Sequence, residues 1–216
     1  MRKTLVFMMA IAIAGAAKAQ FDASKLFASV SGNYTMYKGD FQQKTPGVKL
    51  DIGYSFTEKI RVALGYTYHL PIRVASSVSA SNEVNSKSIP SEVVYNFSTI
   101  SVLGNYTFGE SEDNPISFYA PLGVGYVMAK YKEELKESMP PGYTAMDLLP
   151  SGSQNGFILN FGLGGQYNFG SARAFADASL VLAANKVNDQ YVENYIPPHF
   201  AFNLGIRIPF GDRGGQ

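Results

Sequence analysis

Cysteine and tryptophan are absent from the 216 residues, histidine appears only twice, and charged side chains make up just 16% of the chain. Each shortage closes off a class of proteins. Without cysteine there are no disulfide staples, no thiolate metal sites, no cysteine nucleophile and no N-terminal lipoprotein anchor. His69 and His199 each stand without a nearby His or carboxylate at ligand spacing, so the sequence offers no metal centre and calls for no cofactor.

Long apolar runs are scarce as well. The one at residues 5–17 follows Arg2 and Lys3 and ends at Ala17-Lys18-Ala19, just before Gln20. It falls well short of the roughly 20 residues that a membrane helix needs. A basic start, a short apolar stretch and an Ala-x-Ala site form the pattern of a cleavable signal peptide, residues 1–19, leaving a mature domain of residues 20–216. Removal of Arg2, Lys3 and Lys18 from 18 basic residues leaves 15 against 17 acidic ones, so the formal charge moves from +1 to −2. That leaves no basic surplus to attract nucleic acid.

What the chain does have is Phe and Tyr at 13%, 21 glycines, and a period of two that returns along its length. Alternation of this kind marks strands with one apolar face. At 26–38, Leu26, Ala28, Val30, Tyr34 and Met36 alternate with Ser29, Ser31, Asn33 and Thr35. Residues 47–56 and 60–70 alternate in the same way across a three-residue connection, which predicts a tight hairpin. A fourth strand at 93–108 changes phase, with Tyr95 and Phe97 on one parity and Ile100, Val102, Tyr106 and Phe108 on the other. A bulge near Ser98 and Thr99 would reconcile them. The fifth spans Phe118 to Ala129 and carries Pro121, whose missing N–H has to be accommodated. The sixth sets Phe157, Leu159, Phe161, Leu163, Tyr167 and Phe169 against Asn160, Gly162, Gly164, Gln166 and Asn168. A Gly170-Ser171 turn leads to the seventh, in which Ala174 to Leu182 alternate with Arg173, Phe175, Asp177 and Ser179.

Between these strands, residues 71–92 show no sustained periodicity and predict a long loop. Residues 130–155 predict the longest connection, with one or two helical turns over 130–137. Connections alternate long and short, which fits a membrane barrel with short turns at one rim and long loops at the other.

The last strand, from Phe200, ends Asn203-Leu-Gly-Ile-Arg-Ile-Pro-Phe210. It resembles the C-terminal strand of bacterial outer-membrane β-barrels, whose assembly signal runs polar, any, glycine, two of any, hydrophobic, any, aromatic. Asn203, Gly205, Ile208 and Phe210 take its four specified positions, and Gly211 to Gln216 follow the aromatic. As a pattern, residues 26–210 resemble the small outer-membrane barrels of the OmpA and OmpX type, without an appended peptidoglycan-binding domain. The resemblance implies an all-β fold, an eight-stranded antiparallel up-and-down transmembrane β-barrel in the cell outer membrane. It also implies contact with outer-membrane lipid, lipopolysaccharide and the barrel-assembly machinery, and a structural or interaction role. Recognition of an extracellular ligand or protein would fall to loops, above all 71–92 and 130–155.

Alternation alone does not say which face is inside. A secreted soluble barrel of the lipocalin type would turn its apolar phase inward and coat its exterior with Lys and Glu. Here the polar phase is rich in Gly, Ser, Asn and Thr and poor in charge, as a narrow eight-stranded lumen requires, so the apolar phase is assigned to lipid. The same assignment encloses Lys49, Asp51, Arg61, His69, Asn160, Gln166, Arg173, Asp177, Asn203 and Arg207, which predicts a structural polar network filling the barrel. A narrow conduit for small or hydrophobic solutes is the alternative use of that lumen. An enzyme is not expected: lipid A deacylases on such barrels carry His-x-Ser, and here His199 is followed by Phe200 and Ala201.

Overall fold

A computed structural model describes residues 22–38, 42–82, 84–109, 114–183 and 198–211. The 1–19 signal peptide lies outside them. The chain enters through a short 3-10 turn, Ala23–Lys25, capped by Asp22, whose carboxylate accepts the Ser24 N–H at 3.0 Å. The strands follow as β1 (Leu26–Tyr37), β2 (Lys44–Ser55), β3 (Ile60–His69), β4 (Ile72–Ser81), β5 (Ser86–Phe108), β6 (Ile116–Leu135), β7 (Thr144–Ala145), β8 (Gly152–Asn168), β9 (Arg173–Ala183) and β10 (His199–Pro209).

Every pairing is antiparallel, and the sheet closes on itself. β1 pairs with β10 from Phe27↔Pro209 to Tyr37↔His199, β3 closes onto β5 from Ile60↔Tyr106 to Tyr68↔Ser98, and the remaining neighbours follow chain order. β3 and β4 are one strand interrupted at Leu70 and Pro71, both alongside β5, and β7 is a two-residue bridge on β4. The barrel therefore has eight strands in up-and-down order. Closure satisfies the backbone within lipid, where no water is available to do so.

Pro121 is accommodated without a bulge. The β6–β8 ladder runs from Ile116↔Tyr167 to Tyr119↔Gly164, skips Ala120 and Pro121, and resumes in the same register at Leu122↔Phe161.

Three sequence expectations are corrected. Residues 71–92 are not a loop: Ile72–Ser81 and the first part of β5 form a hairpin, at whose end the Asn82 side chain accepts the Val84 and Asn85 N–H groups. Serine-rich strands exposed to water on one face have too few apolar residues to show a period. Residues 130–137 are not helical either, since β6 continues to Leu135 paired with β5 up to Ser91. There is also no bulge at Ser98 and Thr99, because β5 stays in unbroken register with β6 from Ser91↔Leu135 to Phe108↔Phe118. The phase change is instead a change in which face is apolar.

Candidate functional site

Strand parity decides where each side chain goes. On β1, β2, β3, β8 and β10, and on the halves of β5 and β6 next to the short turns, the large apolar residues face out. Leu122, Leu163 and Leu204 are 68%, 66% and 71% exposed. Aromatics border this belt: Phe56, Tyr106, Phe118, Tyr167 and Phe210 toward the short-turn rim, and Tyr34, Tyr66, Tyr68, Tyr126 and Phe200 toward the loop rim. Aromatics with a wet end and an oily end suit a membrane interface. A soluble ligand-binding barrel, which needs those side chains inside, does not fit this surface.

The lumen behind the belt is filled. Arg207 lies against three rings, its guanidinium carbon 5.2 Å from Phe27, 5.7 Å from Tyr119 and 5.0 Å from Phe175, and donates to Gln166 Oε1 at 3.0 Å. Gln166 in turn donates to Ser117 at 2.8 Å. Arg61, 1% exposed, donates to Thr107 at 2.7 Å and also faces the Tyr119 ring. The Asp177 carboxylate accepts from Tyr119 Oη at 2.8 Å and from Asn203 Nδ2 at 2.7 Å. Asn203 accepts from Asn33 at 2.8 Å, and Asn33 from Thr35 at 2.9 Å. On another wall, Lys49 is 3.4 Å from Asp51, which accepts from Ser29 at 2.9 Å. Rings facing the guanidinium groups stabilise charge that water no longer reaches.

The structure thus joins Gln166 with Arg207, Asp177 with Asn203, and Lys49 with Asp51, and Tyr119 stands between the first two pairs, bonded to Asp177 and facing Arg207. Asn160 lines the small central cavity alongside Lys49, Asp51 and Arg207. Arg173 is half-buried beside Arg207 at the short-turn rim, and His69 is buried further up, apart from these hydrogen bonds. Tyr119, Asn33, Ser117, Thr107, Phe27 and Phe175 complete the packing and were not singled out from sequence. For Tyr119, Phe27, Phe175 and Asn33 the signal was a large or amide side chain in the glycine-rich phase, whereas Ser117 and Thr107 carried none. A Cβ at Gly164 would lie 2.5 Å from the Tyr119 ring, and one at Gly53 2.3 Å from that of Phe27, so these glycines make room for the rings. The enclosed cavity holds about 20 Å³, room for roughly one water. Among the described residues no group of three His, Asp or Glu is placed to hold a metal.

Toward the loop rim the lumen changes character. Tyr37, Ile72, Val93, Phe97, Val127, Tyr131, Ile158 and Val181 form an apolar cluster in the mouth, with Leu149 packed against it. His199, the one histidine near a hydrolase-like position, has its ring 4.9 Å from Tyr37. Glu133 is buried, accepts from Ser91 Oγ at 2.5 Å and from the Leu149 N–H at 2.8 Å, and so ties segment 136–151 across the mouth. Burial raises the nearby Tyr95 phenol above its usual range, with Glu133 and then Tyr131 adding to it. Outside, the same strands show Arg73, Glu92, Lys130, Lys132, Glu134 and Lys136, with ion pairs Arg73–Glu92, Lys136–Glu92 and Lys132–Glu134.

A family model described as the outer membrane protein beta-barrel domain matches residues 4–207. The chain belongs to that outer-membrane β-barrel family. In fold it is similar to Neisserial surface protein A, at 13% identity and TM-score 0.57, covering 86% of this chain and 97% of the other. It is also similar to a major outer membrane protein from Thermus thermophilus, at 13% identity and TM-score 0.54, covering 85% and 98%. No curated protein sequence matches the chain. In barrels of this family short turns are periplasmic and long loops extracellular, so the charged sheet and the apolar mouth lie at the extracellular rim.

The sequence-derived assembly positions sit on the closing strand. Gly205 faces inward where a Cβ would lie 2.3 Å from Val30 O, while Ile208 and Phe210 face outward. Phe210 lies one residue past β10, and its N–H still bonds Leu26 O at 2.8 Å.

Proposed function

We propose that this barrel is a sealed transmembrane scaffold that holds a rigid extracellular sheet clear of the membrane for recognition, a structural or interaction role rather than transport or catalysis. One observation carries the reading. β4, β5 and β6 run on past the aromatic belt as regular sheet, and their apolar side turns inward onto a core of its own. β5 alone has 23 residues, against the 9–11 that a tilted strand needs to cross. The packed lumen weighs against a conduit, and the Tyr37 contact of His199 against a hydrolytic site.

In this reading the chain is exported by its 1–19 signal peptide, and the assembly machinery reads Asn203, Gly205, Ile208 and Phe210. The outward belt meets lipid and lipopolysaccharide. Protease shaving of intact cells, followed by membrane fractionation, tests it: cuts within 136–151 with the barrel protected in the outer-membrane fraction are expected. Recovery in the soluble periplasm, or steady single-channel steps from the purified chain in a planar bilayer, would overturn it.

A further inference from the structure

Both histidines stand at the top of the lumen, where its polar filling gives way to the apolar mouth. His199 opens β10 and His69 closes β3, each one residue above a bordering aromatic, Phe200 and Tyr68, and so clear of the belt. Register puts them at one height. The paired row Asn203, Asn33, Gly47, His69 starts in the middle of β10 and ends at the top of β3. Three steps of about 4.8 Å across strands tilted by about 40° lift it by roughly 9 Å. His199, four residues above Asn203 on β10, rises by about 10 Å. Between the two walls the Tyr37 ring spans the lumen, 4.9 Å from the His199 ring and 5.1 Å from Phe97, which follows the Tyr68↔Ser98 pair on β5 and so stands beside His69. The imidazoles are 4% and 7% exposed, and His69 Nδ1 is enclosed with no hydrogen-bond partner among the described residues.

Among the described residues no carboxylate shares their height. Asp51 lies four residues below Gly47 on β2, Asp177 pairs with Asn203, and Glu133 stands four residues above Ala129, the partner of Phe97 on β6. Four residues are roughly 13 Å of strand. Lys49, nearer below, is a cation, Tyr37, Tyr95 and Tyr131 offer phenols, and β8 and β9 present Ile158 and Val181.

We propose that His69 and His199 form an acid-sensitive latch on the mouth: neutral, they pack with Tyr37 and Phe97 as part of its core, and protonated, they open that core and release Leu149 with segment 136–151. The device goes beyond the scaffold role and requires only that the mouth meets water. A proton on either ring would be a cation in an enclosure with no anion to pair with it, and a second would face the first. The Tyr37 ring offsets part of one such charge. Burial, and after it the facing His199, push His69 down from its ordinary 6.5 to about 4. Once the mouth is open and wet, His69 titrates near its ordinary value again, so the open form takes the proton first. The closed mouth therefore has its full stability above about 6.5 and loses it as pH falls toward 4.

The test uses the full chain in nanodiscs of zwitterionic phosphatidylcholine. Imidazole carbon and nitrogen shifts should show His69 neutral down to pH 5. Amide exchange, corrected for its intrinsic pH dependence, should report opening at Phe97, Val127 and Tyr131 that is roughly tenfold or more greater at pH 5 than at pH 7, with Leu64, Val102 and Leu122 in the belt unchanged. His69→Gln with His199→Gln should flatten that response, and Glu133→Gln, which alters the carboxylate of the mouth, should leave it in place. A His69 ring that titrates near 6.5 in the folded barrel, equal opening at the two pH values, or a response that survives loss of both histidines or vanishes with Glu133→Gln would overturn the latch. Where the double variant fails to fold, the ring titration and the exchange of the native chain decide by themselves. Protease shaving at neutral pH is indifferent to these outcomes, so the scaffold reading stands or falls separately.

Discussion

The belt half of the barrel and its extracellular half are built from the same strands turned to opposite solvents. Around Leu64, Val102 and Leu122 the apolar side chains face out, and Arg61, Asn203 and Arg207 are enclosed. A few residues higher on β5 and β6, Phe97, Val127 and Tyr131 are enclosed, and Lys130 and Lys132 face out. Neither register nor pleat changes between the two. What changes is the medium outside, so a side chain's preferred face is set by what surrounds the wall at its height. The belt half can keep a polar interior because lipid receives its apolar surface. The upper half, surrounded by water, has to bury apolar surface as a soluble sheet does.

That contrast can be broken from either side. The largest effect is expected from Phe97→Ala, which opens the mouth core: about 3–5 kcal/mol by the usual cost of such truncations. The loss should show as faster amide exchange in β4 and the upper halves of β5 and β6, while the belt stays protected; uniform loss across the barrel would mean that the halves are one cooperative unit. Leu64→Arg, which places charge against lipid, should cost about 2–4 kcal/mol in urea unfolding from vesicles. The same change at Ala75, above the belt, should stay within about 0.5 kcal/mol. Equal effects at the two sites would refute the two-solvent account.

Asp177→Ala strands the Tyr119 hydroxyl and the Asn203 amide, at roughly 1–3 kcal/mol for each donor left without a partner; an unchanged unfolding midpoint would show that the lumen network adds nothing. Glu133→Gln leaves one acceptor where there were two, for Ser91 and Leu149. About 0.5–1.5 kcal/mol of local stability is expected to go, seen as faster protease cleavage within 136–151. Cleavage at the native rate would remove Glu133 as the tie.

Much of the belt half was legible in the sequence. Leu159, Phe161 and Leu163 alternate with Asn160, Gly162 and Gly164 because lipid and lumen make opposite demands on successive residues. The extracellular half was harder to read. Tyr95 and Phe97 fall out of phase with Ile100, and the simplest local repair is a bulge, since a change of solvent leaves no local mark. β4, with its serines, keeps only Ile72, Val78 and Ala80 buried, too few for a period. The lumen partners stayed hidden for another reason. Asp177 meets Tyr119 from 58 residues away, a neighbour that closure and register select and spacing along the chain does not.

The order of hydrophobic and polar residues by itself determined that this chain forms strands, roughly where they cross, and which side of each crossing meets lipid, because a period of two is a local property and the bilayer enforces it. Closure of the sheet decided the rest: which ring faces which guanidinium, where the walls turn their apolar side inward, and that β4 has β5 along one side and, among the described residues, only the two-residue β7 on the other. Those depend on the height and azimuth of a residue in a closed cylinder, quantities that exist only after β1 has met β10.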